Sequence, residues 1–199
     1  MNLAMYKPTK TMNGERARNE LLSSLGEYRS RYPEEGEVVD RVMEFVSREP
    51  GCFERSTAEG HITGSAWVVD PSGERTLLTH HRKLGKWLQL GGHADGDGNV
   101  LRVAVTEARE ESGIDDYEAV TDDIFDVDVH PIPARGSDAG HLHFDVRYAL
   151  RAGHTDHVVS GESHDLAWVP IRELERYTTE DSMLRMARKW LELSASQRT

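Results

Sequence analysis

Three glutamates, Glu107, Glu110 and Glu111, close a stretch that opens on the glycine pair Gly91-Gly92. Successive residues of a helix are turned by about 100°, so i, i+3, i+4 spacing puts all three carboxylates on one helix face. Leu101, Ala104, Val105 and Ala108 form an apolar stripe beside that face, with Asn99 as N-cap and Gly113 as stop. Such a helix must lie on a hydrophobic layer and hold its carboxylates at the rim of a cleft. A divalent cation relieves the repulsion among the three anions, and Mg2+ is commonly held by carboxylates together with substrate phosphates. A metal-dependent phosphoryl enzyme is the first reading. A solvated acidic face is the plain alternative in a chain with 35 acidic and 24 basic residues.

The segments around it alternate in period. Leu21, Leu22, Leu25 and Tyr28 predict a helix over about 13–32, ended by Pro33. Val38, Val39, Val42, Phe45 and Val46 predict a second over 34–48, ended before Pro50-Gly51. Together they make an N-terminal helical extension, residues 1–55, that either covers the core or builds a homodimer interface. Strands are expected over 61–69, 74–80, 87–90, 117–129, 141–151 and 164–169, with a turn at Asp70-Pro71-Ser72-Gly73. A helical turn at 171–175 and an amphipathic helix over 181–193 follow. The order predicts an α/β domain over 56–199, a mixed sheet sandwiched by helices.

A net charge of −11 argues against nucleic acid or an anionic membrane as partner. Cys52 is the single cysteine, which excludes an intrachain disulfide and fits a reducing compartment. With no membrane-length apolar run and no signal-peptide core, a cytoplasmic location is expected.

Gly92, position 98 six residues on, and TEAREESGI from Thr106 to Ile114 resemble the Nudix box, GX5EX7REUXEEXGU with U aliphatic. Gly92, Glu107, Ala108, Glu110, Glu111, Gly113 and Ile114 all fall in register; Gly98 replaces the glutamate and Thr106 the arginine. The resemblance covers roughly residues 60–195. It implies a Nudix-type α/β/α sandwich, dependence on Mg2+ or Mn2+, and hydrolysis of a diphosphate linked to another moiety. It also implies Glu110 and Glu111 as metal ligands, Glu107 as ligand or water-activating base, and a carbonyl of Gly91 or Gly92 in the shell. Arg102 or Arg109 would compensate for Thr106, and Asp95 or Asp97 for Gly98.

The chain carries ten histidines. Within the family their pattern resembles that of type I isopentenyl-diphosphate isomerases, which hold a transition metal with histidines and glutamates. His61 opens GHITGSAWVVD, His93 ends WLQLGGH, and His141 and His143 stand in HLHFDVRYALRA where the isomerases carry a Glu-x-Glu pair. Strand alternation independently puts His141, His143 and Asp145 on one face. The resemblance implies an additional metal site at His61, His93, His141 and His143; the competing reading is structural or surface histidines. The isomerase reaction is not expected, because its cysteine would fall near Gly91 and Cys52 lies well before it.

His80, His81, Arg82, Lys83 and Lys86 concentrate positive charge before the glycine pair. With Gly91 and Gly92 they are candidate contacts for substrate phosphates, and Arg135 is a further candidate. Trp87, Trp168 and the C-terminal helix read as core. Three functions compete: hydrolysis of a nucleoside diphosphate derivative or related small-molecule diphosphate, a non-catalytic ligand-binding sensor, or a histidine-metal enzyme on the same fold.

Overall fold

The computed structural model describes residues 14–81, 85–134, 136, 139–158 and 163–196. Helices α1 (Gly14–Arg31) and α2 (Gly36–Arg48) are joined by a 3-10 turn at Pro33–Glu35. Strands β1 (Gly60–Val69), β2 (Arg75–His81), β3 (Lys86–Leu88) and β4 (Leu90–His93) precede α3 (Val100–Ser112). Then come β5 (Tyr117–Ala119), β6 (Asp126–Ile132), β7 (His141–Ala152) and β8 (Ser163–Pro170), a 3-10 turn at Ile171–Arg176, and α4 (Asp181–Ser196).

The strands form one mixed sheet ordered β3-β2-β1-β7-β5, with β4 also on β1, β6 also on β7 and β8 on β2. Its spine is the parallel pairing of β1 with β7, in unbroken register from Gly60 opposite Leu142 to Val69 opposite Arg151. The strand expected over 117–129 is two strands. Val120 N–H donates to the Ala149 carbonyl and Phe125 N–H to that of Arg147, so residues 121–124 bulge from the ladder. Asp123 in that bulge is drawn to Arg31 of α1 at 2.6 Å. The strand expected over 87–90 also divides, because β3 pairs with β2 and β4 with β1, leaving Gln89 at the crossing.

Alternation along the strands sends successive side chains to two layers. Ile62, Ala66, Val68, Phe144, Val146, Tyr148 and Leu150 face a core built with α1, α2 and α3. Trp67, Val69, Leu78, Phe125 and Ala149 face Met183, Met186, Ala187 and Trp190 of α4. Of the two roles open to the N-terminal helices, the structure shows core cover: Leu21, Leu25, Tyr28, Val39, Val42, Phe45 and Val46 are buried, and Phe45 stacks on Phe144 at 3.9 Å. No helix among the described residues is long and apolar enough to cross a membrane.

The extension also explains a residue of the glycine loop. A Cβ at Gly98 would lie 2.2 Å from the Cβ of Ala17 on α1 and 3.5 Å from the Phe53 ring. Ala17 is itself buried. Any side chain there must push α1 off the loop. Gly98→Glu should therefore destabilise the protein by about 1–3 kcal/mol through overpacking, measured as a lower denaturant midpoint; an unchanged midpoint would mean that α1 does not rest on this loop.

Candidate active site and metal centre

Helix α3 forms as its residues dictate. The Asn99 side chain accepts the Arg102 N–H at 2.9 Å, and Gly113 ends the helix at φ 70°, where a residue without Cβ is unstrained. Val103, Ala104 and Ala108 are buried against the sheet. The acidic face meets the glycine pair of β4. A Cβ at Gly92 would come within 2.5 Å of the Glu107 carboxylate, so only glycine lets Glu107 lie against the strand. Gly91 N–H donates to Glu111 Oε1 at 2.8 Å. Glu110, one turn from Glu107, is exposed. Oxygen donors beside an open rim suit Mg2+ or Mn2+, which keep sites for phosphate oxygens and water.

The candidate substitutes for the altered box positions are engaged with other groups. Asp97 receives Arg102 Nε at 2.6 Å and the Asn99 N–H at 2.9 Å. Asp95 receives Arg55 Nη2 at 2.6 Å, and that pairing holds its carboxyl below the usual carboxylate range. Arg109 donates to the Asp115 carbonyl at 3.0 Å. Of the basic candidates, Lys86 pairs with Glu180 at 2.7 Å; Arg82, Lys83 and Arg135 lie outside the described residues.

The histidines stand on the other face of the sheet. Alternation in β4 turns Gly92 toward α3 and His93 away from it. There His93 meets His61 and His143, with ring centroids 5.0 Å from each, and His61 and His143 are 4.9 Å apart. One nitrogen from each of these three rings lies within 4.8 Å of the others, the one such grouping of three potential metal-ligating side chains among the described residues. His141 stands beside them, 4.9 Å from His61 and 5.3 Å from His143, with Nδ1 hydrogen-bonded to the Ala139 carbonyl at 3.1 Å. His130 of β6, 5.4 Å from His143, joins the cluster. It was not among the sequence candidates, although DVDVH alternates just as HLHFDVR does.

His61 is 3% exposed, and neither of its ring nitrogens has a hydrogen-bond partner; His143 Nε2 is also buried without one. An unmet buried polar atom costs about 1–3 kcal/mol, so three of them in one cluster ask for an occupant. Burial, then the neighbouring imidazoles, push His61 down to about 4 and His143 down to about 3. Both are therefore neutral near pH 7, the form that binds a metal.

Beneath the histidines lies Asp145. Its Oδ1 accepts the hydroxyls of Thr63 and Ser65, both at 2.7 Å, and its Oδ2 accepts Gln89 Nε2 at 3.1 Å and Arg147 Nε at 2.7 Å. Burial would raise this carboxyl, but Arg147 and the other donors carry it below its ordinary value. Gln89 Oε1, on the far side of the amide from Asp145, is buried without a partner.

A family model described as a NUDIX domain matches residues 61–190. The fold is similar to that of a C. elegans Ap4A hydrolase solved as a binary complex, at 16% identity over 68% of this chain and 98% of that one, TM-score 0.52. It is also similar to RenU, a Nudix hydrolase from M. smegmatis, at 18% identity over 69% of this chain and 88% of that one, TM-score 0.52. No curated protein matches the chain.

The depressed histidines give a pH test. From about pH 6.5 down to about pH 4 for His61 and about pH 3 for His143, the unfolded chain takes up protons that the folded imidazoles refuse, so stability falls as pH falls through that window. Chelator-treated protein should lose stability there, and His61→Leu should flatten the dependence, read from denaturant midpoints across pH. An equally steep profile in the variant would contradict the burial of neutral imidazoles.

Proposed function

As the chain belongs to the NUDIX domain family of hydrolases, we propose that it cleaves the pyrophosphate linkage of a small-molecule diphosphate, such as a nucleoside diphosphate derivative, with Mg2+ or Mn2+. The observation that carries this reading is the contact of α3 with β4: Glu107 lies against Gly92, and Glu111 is held by the Gly91 N–H. These two contacts hold two of the three box carboxylates at the glycine pair. A divalent cation bound there would supply charge neutralisation on the phosphates and a more acidic water.

Glu110 and Glu111 are assigned as cation ligands. Glu107 is assigned as a further ligand or as the base that takes a proton from the attacking water while the bond from phosphorus to the bridging oxygen breaks. A carbonyl of Gly91 or Gly92 is a candidate for the same shell. Phosphate contacts are assigned to the basic segment Arg82, Lys83 and Lys86, with Lys86 exchanging Glu180 for the substrate. The departures at Gly98 and Thr106 leave the three helix carboxylates in place, which favours hydrolysis over a purely ligand-binding role.

A panel of nucleoside and sugar diphosphates with Mg2+ or Mn2+ should reveal turnover. Glu107→Gln should lower kcat by about 10²–10⁴-fold, the range for loss of a positioned proton acceptor, and Glu111→Gln should raise the metal concentration needed for half-maximal rate. Nucleotide binding without hydrolysis of any substrate would replace this reading with the sensor.

A second metal centre, at His61, His93 and His143 with His141 beside them, is also proposed. It is favoured by the three unmet ring nitrogens of His61 and His143. Three imidazoles suit Zn2+, Mn2+, Fe2+ or Ni2+ better than Mg2+. Protein purified without chelator or nickel resin should carry about one transition-metal ion per chain by elemental analysis, in line with a single-ion three-histidine site. His143→Ala should abolish it; a metal content equal in both proteins would place the ion elsewhere.

A further inference from the structure

Below the histidines the sheet presents polar side chains in cross-strand rungs. The registers of β1, β7 and β6 align His61, His143 and His130 in the first rung and Thr63, Asp145 and Asp128 in the second. Ser65, Arg147 and Asp126 make the third, and Trp67 opposite Ala149 begins the apolar layer. Imidazoles thus sit directly above two carboxylates.

The charges of this column do not balance. Arg147 is buried and reaches Asp145 at 2.7 Å and both Asp126 and Asp128 at 3.0 Å. Asp126 is further held by Arg185 and Lys189, each at 2.8 Å, and Lys189 also pairs with Glu35 at 2.6 Å. Four carboxylates (Glu35, Asp126, Asp128, Asp145) face three cations (Arg147, Arg185, Lys189), which leaves one negative charge. The basic groups on Asp126 lie at the third rung and beyond. The second rung has to share Arg147 alone, and it adjoins the imidazoles. Asp128 Oδ2 is 3.8 Å from His130 Nδ1.

We infer that Asp145 and Asp128 form the charge-balancing support of the histidine centre, positioning residues that raise its affinity for a divalent cation without ligating it. The inference rests on the histidine-metal reading above. Asp145 is committed to four donors and therefore holds a fixed place. Outer carboxylates beside metal-binding imidazoles stabilise the bound cation, and their removal typically weakens metal binding by 10–100-fold. Arg147 joins this support to the α4 layer through Asp126, so the preference for a cation is built into the folded core.

Co2+ titration of chelator-stripped protein, followed by visible absorption and competition with a chromophoric chelator, separates the two readings. Wild-type protein should bind Co2+ with ligand-field bands that His143→Ala loses. Asp145→Asn and Asp128→Asn should keep the bands, because the ligands are unchanged, and bind about 10–100-fold more weakly. Asp128 is partly exposed, so Asp128→Asn serves as the test if Asp145→Asn does not fold. Wild-type-like affinity in the folded aspartate variants would overturn the inference while leaving the histidine centre standing. Altered bands in Asp128→Asn would make it a ligand and overturn the supporting role. Absence of Co2+ binding in the wild type would remove the centre itself, and this inference with it.

Discussion

The parallel pairing of β1 with β7 sets the face of the sheet on which the candidate site residues of these two strands stand. Ten residue pairs run in one register without a bulge, and a slip of one residue would exchange the two faces. If β7 slipped, His143 and Asp145 would enter the layer under α3, while Phe144 and Val146 would face the polar column. Burial of apolar side chains on both faces makes such a slip costly, since each fully buried large apolar residue is worth about 1.5–3 kcal/mol. The register that protects the core is the one that stacks His61 on His143, Thr63 on Asp145 and Ser65 on Arg147.

From this spine follow two chemically distinct regions separated by the thickness of a sheet. On the α3 side the donors are carboxylate oxygens, open to solvent and suited to a hard cation with phosphates. On the opposite side they are imidazole nitrogens, suited to a softer one. Strand β4 belongs to both. Gly92 lies against Glu107 and His93 meets His61 and His143, so adjacent residues serve different regions because their side chains point to opposite faces.

The extension is tied to the first region. Ala17 lies over Gly98, Arg55 holds Asp95, and the Gly96 N–H donates to the Phe53 carbonyl at 2.9 Å. The loop that feeds α3 is thus gripped by residues that precede the matched NUDIX segment. At one of the two altered positions of the box, residue 98, a side chain would meet Ala17 of α1.

Local pattern alone determined the α/β class, the acidic helix with its cap and stop, the two N-terminal helices and the amphipathic C-terminal helix. These rest on interactions between residues close in the chain. The resemblance to the isomerases put forward His61, His93, His141 and His143 as candidates, and strand alternation independently placed His141, His143 and Asp145 on one face. Tertiary structure decided what depends on pairing between distant segments. It divided the strand at 121–124, brought His130 to His143 and drew Asp95 into a pair with Arg55. It also put the glutamates and the histidines on opposite faces. A carboxylate helix and a histidine-bearing strand each carry their own periodicity, but which face of a sheet meets which helix is set only by the packing of apolar side chains from the whole chain.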